Sequence, residues 1–194
     1  RFLDAALELM STSENRDFTV QQVVERSGQS LRSFYQYFAG KYELLLALFE
    51  ESVRSTADHL AALIDDEDDP LERLRVLTGE YYRICRPTTG RQAKKSGPPR
   101  AMAEFAQQLL TEHPKEASRA FVPLVSMLRQ VLDDAAAAGA IRTDLDHRRI
   151  AGVILQSIMF NASATTISGA PARADADRAA GELWELVLHG LAPR

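Results

Sequence analysis

Apolar residues recur at spacings of three and four along nearly the whole chain, and no alternating β-branched run bounded by turn residues interrupts them. The pattern predicts an all-α protein. Phe2, Leu3, Ala6, Leu7 and Met10 make one helical stripe. Phe18-Thr19-Val20-Gln21-Gln22-Val23 reads as a helix start, with Thr19 and Gln22 as a capping box and Phe18 with Val23 as a hydrophobic staple. Gly28 supplies the left-handed conformation that closes this helix. Ser30 caps a short helix ending near Phe38, Gly40 breaks the pattern, and a long helix runs from about Tyr42 to Ile64.

Punctuation divides the remainder. The acidic run Asp65–Asp69 reads as a solvated helix end, and with Pro70 it precedes a helix over about Leu71–Arg86. Pro87 to Pro99 reads as a loop; from Arg86 to Arg100 it carries five bases and no acid, which suits either a solvated loop or an anion site. Helices are expected over Arg100–Glu112, Glu116–Ala138, His147–Ser168 and Ala174–Leu191, with Pro123 kinking or dividing the second. The expected organisation is a small helical module, residues 1–42, joined to a larger helical domain, residues 43–194.

Three helices with a tight Gly turn between the second and third describe a helix-turn-helix, whose third helix enters the major groove of DNA. Leu31, Phe34 and Phe38 fall at i, i+3 and i+7, one stripe to bury; Arg32, Ser33, Gln36 and Tyr37 then point outward, with groups suited to base edges and phosphates. The stretch from Phe18 to Leu45 resembles the DNA-binding region of TetR-family transcriptional regulators. The resemblance rests on Thr19, the turn Glu25-Arg26-Ser27-Gly28, the run Tyr35-Gln36-Tyr37-Phe38 and the following Lys41. Val24 stands where a small residue is usual and Ser33 where Gly is frequent. The resemblance implies that Thr19, Tyr37 and Lys41 hold phosphates, that Gln29, Ser30, Arg32, Ser33 and Gln36 lie near base edges, and that Tyr35 does either. Arg26 reads better as a structural ion pair or surface charge.

TetR relatives join such a head to a helical ligand-binding and dimerisation domain. Tyr81, Tyr82, Cys85, Met102, Phe105, Leu109, Met127, Leu128, Met159, Phe160 and Asn161 are candidates for an effector pocket, because Met and aromatic side chains adapt to apolar ligands; plain core is the competing reading for each. Tyr82 or Asn161 would anchor a polar group of a largely apolar effector. In the family the last two helices pair across a homodimer, which makes Ile150, Ile154, Ser157, Ile158, Leu183, Trp184 and Val187 the expected interface. The partners implied are a palindromic double-stranded DNA operator, a small apolar effector and a second copy of the chain, with no membrane.

Composition tests this reading. Hydrophobic residues at 45% and charged residues at 26% exclude a disordered chain. The net charge of -4 weighs against a nucleic-acid binder. Its distribution answers that objection. Asp58, Asp65, Asp66, Glu67, Asp68, Asp69 and Glu72 fall in one stretch without Lys or Arg, whereas Ser27–Tyr42 holds Arg32 and Lys41 and no acid. The single cysteine, Cys85, forms no internal disulfide and fits a reducing cytoplasm. No apolar run approaches the roughly 18 residues of a membrane span, and no signal peptide is visible. The chain opens at Arg1 in mid-helix, so residues are expected before it. Glycine-pair, Walker, G-x-S-x-G and H-E-x-x-H signatures are missing, the four His are scattered, and no catalytic residue, metal or cofactor is implied. A helical adaptor that no longer binds DNA, and a small-molecule enzyme on a helical bundle, are the rival readings.

Overall fold

Ten helices and no strand make up the residues this computed structural model describes, 1–12, 18–86, 100–167 and 176–192. They are α1 (Phe2–Thr12), α2 (Val20–Ser27), α3 (Leu31–Tyr37), α4 (Lys41–Ile64), α5 (Pro70–Cys85), α6 (Arg100–Glu112), α7 (Pro114–Ala120), α8 (Val122–Ala137), α9 (His147–Ile167) and α10 (Ala176–Leu191).

Local chemistry sets the ends of these helices. Thr19 Oγ1 accepts from the Gln22 N–H at 3.2 Å while Gln22 Oε1 accepts from the Thr19 N–H at 2.7 Å, the reciprocal capping box. Gly28 closes α2 at φ +65°, a conformation that any side chain would strain. Ser30 Oγ accepts from the Ser33 N–H at 3.0 Å and starts α3. Glu43 Oε2 accepts from the Ala39 N–H at 2.7 Å, just ahead of α4. The acidic run is more than a solvated end, because Asp69 is the N-cap of α5, its carboxylate accepting from the Leu71 N–H at 2.9 Å with Pro70 as the first helical residue. Pro123 divides rather than kinks. It lies in the first turn of α8, where its missing N–H removes no helical bond, and Phe121 separates α7 from α8.

The chain forms two compact units, Arg1–Val53 with Thr88–Ala120, and Arg54–Pro87 with Phe121–Arg194. The first unit groups α6 and α7 with the N-terminal helices. Within this unit Tyr42 of α4 lies against Phe105 of α6 (centroids 6.0 Å apart) and His113 (4.9 Å), and Phe49 lies 6.1 Å from Phe105. The Tyr42 hydroxyl donates to Glu116 Oε2 at 3.1 Å, and His113 Nδ1 meets the same oxygen at 3.0 Å. Burial and the Glu116 carboxylate both hold the Tyr42 hydroxyl above its usual range.

In the second unit α5 packs against α8, α9 and α10, and α8 against α9. Leu74, Leu77, Tyr81 and Tyr82 of α5 and Leu124, Leu128, Val131 and Leu132 of α8 are buried, as are Ile154, Leu155 and Ile158 of α9. Thr78, also buried, donates its hydroxyl back to the Leu74 carbonyl at 2.9 Å. His147 Nδ1 meets Asp133 Oδ1 at 2.7 Å and ties the start of α9 to α8.

Candidate nucleic-acid interface and effector residues

Three rings hold the third helix in place. Phe34, fully buried, lies edge-on to Phe2 of α1 at 5.4 Å, and Phe38 lies 5.4 Å from Phe34 and 6.2 Å from Phe2. Leu31 departs from the expected stripe. It is 49% exposed, because it is the first residue of a seven-residue helix, where the covering surface ends. The opposite face keeps the expected chemistry: Arg32, Tyr35, Gln36 and Tyr37 are exposed, Tyr37 at 72%. Neither Arg32 nor Gln36 is tied to another side chain among the described residues, so their donors and acceptors are available.

The hydroxyls of Thr19 and Ser30 each use a lone pair as a cap; the Thr19 O–H donates to Gln22 Oε1 at 3.4 Å, whereas the Ser30 O–H can donate to a phosphate or base edge. Gln29, Ser33 and Tyr37 line a cleft of about 300 Å³ together with Arg1, Phe2, Leu3 and Phe38. Arg1 and Leu3 carry no motif in the sequence; they reach this cleft because α1 passes beside α3. Arg26 is an ion pair, 3.2 Å from Glu8 of α1 with both side chains exposed, a geometry that adds little stability. Lys41 Nζ stands over the Phe18 ring, 4.5 Å from its centroid.

The effector candidates divide between the units. Met102, Phe105 and Leu109 are buried in the first unit, and Phe105 is occupied by Tyr42 and Phe49. Tyr81, Tyr82 and Leu128 are buried in the second, with Cys85, Met127 and Met159 half-buried. Phe160 and Asn161 lie on the exposed side of α9, not in a core. The Tyr82 hydroxyl is the informative member, since it is buried and has no hydrogen-bond partner among the described residues, a costly condition for a polar group. The Arg86 guanidinium lies over its ring at 5.9 Å. Of the basic segment 86–100, residues 87–99 lie outside the described residues.

Burial pushes the Cys85 thiol up to about 12, only partly offset by a hydrogen bond from Tyr81. The thiolate, which is the nucleophile, is therefore nearly absent at neutral pH. Iodoacetamide at neutral pH is expected to leave Cys85 unlabelled in the native protein and to label it fully in denaturant. Rapid native labelling, read by mass spectrometry, would contradict this placement.

Of the expected interface residues, Ile154 and Ile158 are buried inside the protomer, Ile150, Leu183, Trp184 and Val187 are half-buried, and Ser157 is exposed. The outward apolar residues of these helices are Val153 and Phe160 of α9, 52% and 47% exposed, and Leu186 of α10, 71% exposed. Among the described residues no helix is long and apolar enough to cross a membrane.

Residues 2–48 match the family model described as bacterial regulatory proteins, tetR family. The HTH-type transcriptional regulator BetI of Brucella anthropi is 31% identical over 75 residues, 39% of each chain. The match thus spans about two fifths of that relative's length. The transcriptional regulator FadR of Bacillus subtilis, solved in complex with stearoyl-CoA, superposes with a TM-score of 0.73 at 18% identity, covering 97% of both chains. The FadR repressor of Thermus thermophilus, solved in complex with lauroyl-CoA, gives 0.69 at 20% identity, over 100% of this chain and 94% of the other. At these identities the two structures establish a shared fold.

Proposed function

We propose that this chain belongs to the tetR family of bacterial regulatory proteins, whose model its residues 2–48 match, and is a ligand-responsive DNA-binding transcriptional regulator, acting as a homodimeric repressor. One observation carries the reading: α3 is seated on Phe2, Phe34 and Phe38 and capped at Ser30, and it turns Arg32 and Gln36 outward without partners among the described residues, within the segment that matches the family. A side-chain fork of Arg reads guanine and an amide of Gln reads adenine in the major groove. Thr19, Tyr37 and Lys41 fix the head on phosphates, which sets position rather than sequence. Two heads of a dimer read two half-sites one helical turn, or a multiple, apart.

The effector is an apolar chain carrying a hydrogen-bond acceptor, of the acyl-thioester type. The fold shared with two acyl-CoA-bound regulators supports this class, and so does the unpartnered Tyr82 hydroxyl among apolar residues of the second unit. Effector binding and operator binding oppose each other, each weakening the other by the same factor.

A gel shift with the DNA upstream of the chain's own gene tests the first part. Retardation at low salt is expected, and lauroyl-CoA is expected to release the DNA. No retarded fragment overturns the DNA reading, whereas retardation that acyl-CoA leaves unchanged overturns only the effector class. Tyr82→Phe is expected to stabilise the ligand-free protein by about 1 kcal/mol, since it removes an unpaired buried hydroxyl, and to reduce the thermal shift that lauroyl-CoA produces. A destabilised Tyr82→Phe variant would show that the hydroxyl is satisfied.

A further inference from the structure

The cleft of about 300 Å³ beside α3 gathers polar side chains from three parts of the chain. Arg1 borders it just ahead of α1, Gln29 from the turn before α3, and Ser33 and Tyr37 from α3 itself. Ser33 and Tyr37 stand four residues apart and share a helix face; Arg32 and Gln36, also four apart, form the neighbouring row. The two rows differ in depth. Arg32 and Gln36 are exposed, whereas Gln29 and Ser33 are half-buried. A side chain that projects can reach a base edge in the groove. A recessed donor needs a partner that projects toward it, and the outermost polar group of a DNA duplex is the phosphate.

The chemistry of the cleft agrees with its shape, because every polar side chain in it can donate. Arg1 brings five N–H groups and a positive charge, and Ser33 and Tyr37 bring a hydroxyl each. Gln29 gives one amide N–H to the Gly28 carbonyl at 3.4 Å and keeps a second. Among the described residues nothing engages the Arg1 guanidinium, the Ser33 hydroxyl or the Tyr37 hydroxyl. Asp4 meets the Arg1 backbone nitrogen at 3.3 Å, not its guanidinium, and no acidic side chain is among the described residues that line the cleft. The Tyr37 ring lies 6.5 Å from both Phe2 and Phe38, which fixes where its hydroxyl stands.

We propose that this cleft seats one backbone phosphate of DNA, with Arg1 supplying the charge and Gln29, Ser33 and Tyr37 supplying hydrogen bonds. The proposal rests on the DNA-binding reading above. It moves Gln29 and Ser33 from sequence reading to positioning, leaves the bases to the row of Arg32 and Gln36, and adds a contact from outside the helix-turn-helix. A guanidinium fork suits a phosphate because both are planar-edged, bidentate partners of opposite charge.

The full chain, Arg1→Gln and Ser33→Ala are titrated by fluorescence anisotropy from about 50 to about 200 mM salt. Each is tested on the DNA upstream of the chain's own gene and on a mixed-sequence duplex. Arg1→Gln is expected to weaken both and to reduce the salt slope by about 0.9 per head. Ser33→Ala is expected to weaken both by the same factor, about two- to tenfold per head, with the slope unchanged. Phosphate ethylation interference then locates the contact: one phosphate per half-site, the same in both variants, is expected to stop mattering. An Arg1→Gln variant with unchanged slope and interference pattern overturns the proposal. So does a Ser33→Ala loss confined to the upstream DNA, which would return Ser33 to a base edge. Wild type that binds neither duplex would overturn the DNA-binding reading itself. Arg1 and Ser33 lie outside the buried core, so folding is not at stake in either variant.

Discussion

Phe34→Ala is expected to cost about 3–5 kcal/mol of stability and to abolish DNA binding, while Leu31→Ala, three residues away on the same nominal stripe, changes stability by only about 0.5 kcal/mol or less. The difference comes from surroundings. Phe34 is fully buried, with the rings of Phe2, Tyr35 and Phe38 each 5.4–6.2 Å from a neighbour in the cluster. Removing its ring leaves a cavity and forfeits edge-on aromatic contacts at the same time. Leu31 is half in solvent and loses little. Folded domains have a margin of about 5–15 kcal/mol, so the Phe34 change consumes a large part of it. Hydrogen exchange over α1–α3 would report the loss locally, and a gel shift would report its consequence. Equal effects of the two substitutions would show that the aromatic cluster is not what seats the third helix.

The contrast between these two residues also marks what a sequence can and cannot disclose. Helix starts and stops were legible where the signal is local and chemical: Thr19 with Gln22, the positive φ of Gly28, Ser30 at the head of α3. Helical period identifies a stripe but not how far the surface facing it extends, which is why Leu31 was expected inside. Asp69 was hidden among four other acids, since a capping carboxylate and a solvated one look alike until the next helix begins. The assignment of α6 and α7 to the first unit was not legible at all. It depends on Tyr42 and Phe49 meeting Phe105, residues more than fifty positions apart with no pattern linking them.

The candidate nucleic-acid interface was more legible than the rest, for a physical reason. Its residues lie within one short segment, so helical geometry alone sorts Arg32, Gln36 and Tyr37 from Phe34. Arg1 and Leu3 of the cleft escaped because they lie at the start of α1 and not in the same segment. Effector candidates were picked by residue type, and type does not distinguish core from cavity: Phe105 serves a ring cluster within its unit, and Phe160 faces outward. The Tyr82 hydroxyl stands apart only because the structure shows it buried without a partner among the described residues.

Replacing Phe160 and Leu186 together by Glu is expected to turn a dimer into a monomer and to lower operator affinity by about 10²–10⁴-fold, the advantage of joining two heads. In the proposed homodimer α9 and α10 would meet their mates. Val153 and Phe160 stand seven residues apart on α9, two turns along one face, with the exposed Ser157 between them. Leu186 on α10 is flanked by the half-buried Leu183 and Val187. Single exposed apolar residues are ordinary, but a second copy of the chain is the partner that would cover this set. Both changes are at exposed positions, so the melting of the protomer should move little, whereas Ile154→Ala or Ile158→Ala should lower stability through the buried core. Native mass spectrometry reads the oligomeric state, and lauroyl-CoA binding reads whether Phe160 serves the effector instead. A variant that remains dimeric but loses the acyl-CoA would return Phe160 to the effector site. One that becomes monomeric, keeps acyl-CoA and releases the operator would place it between protomers.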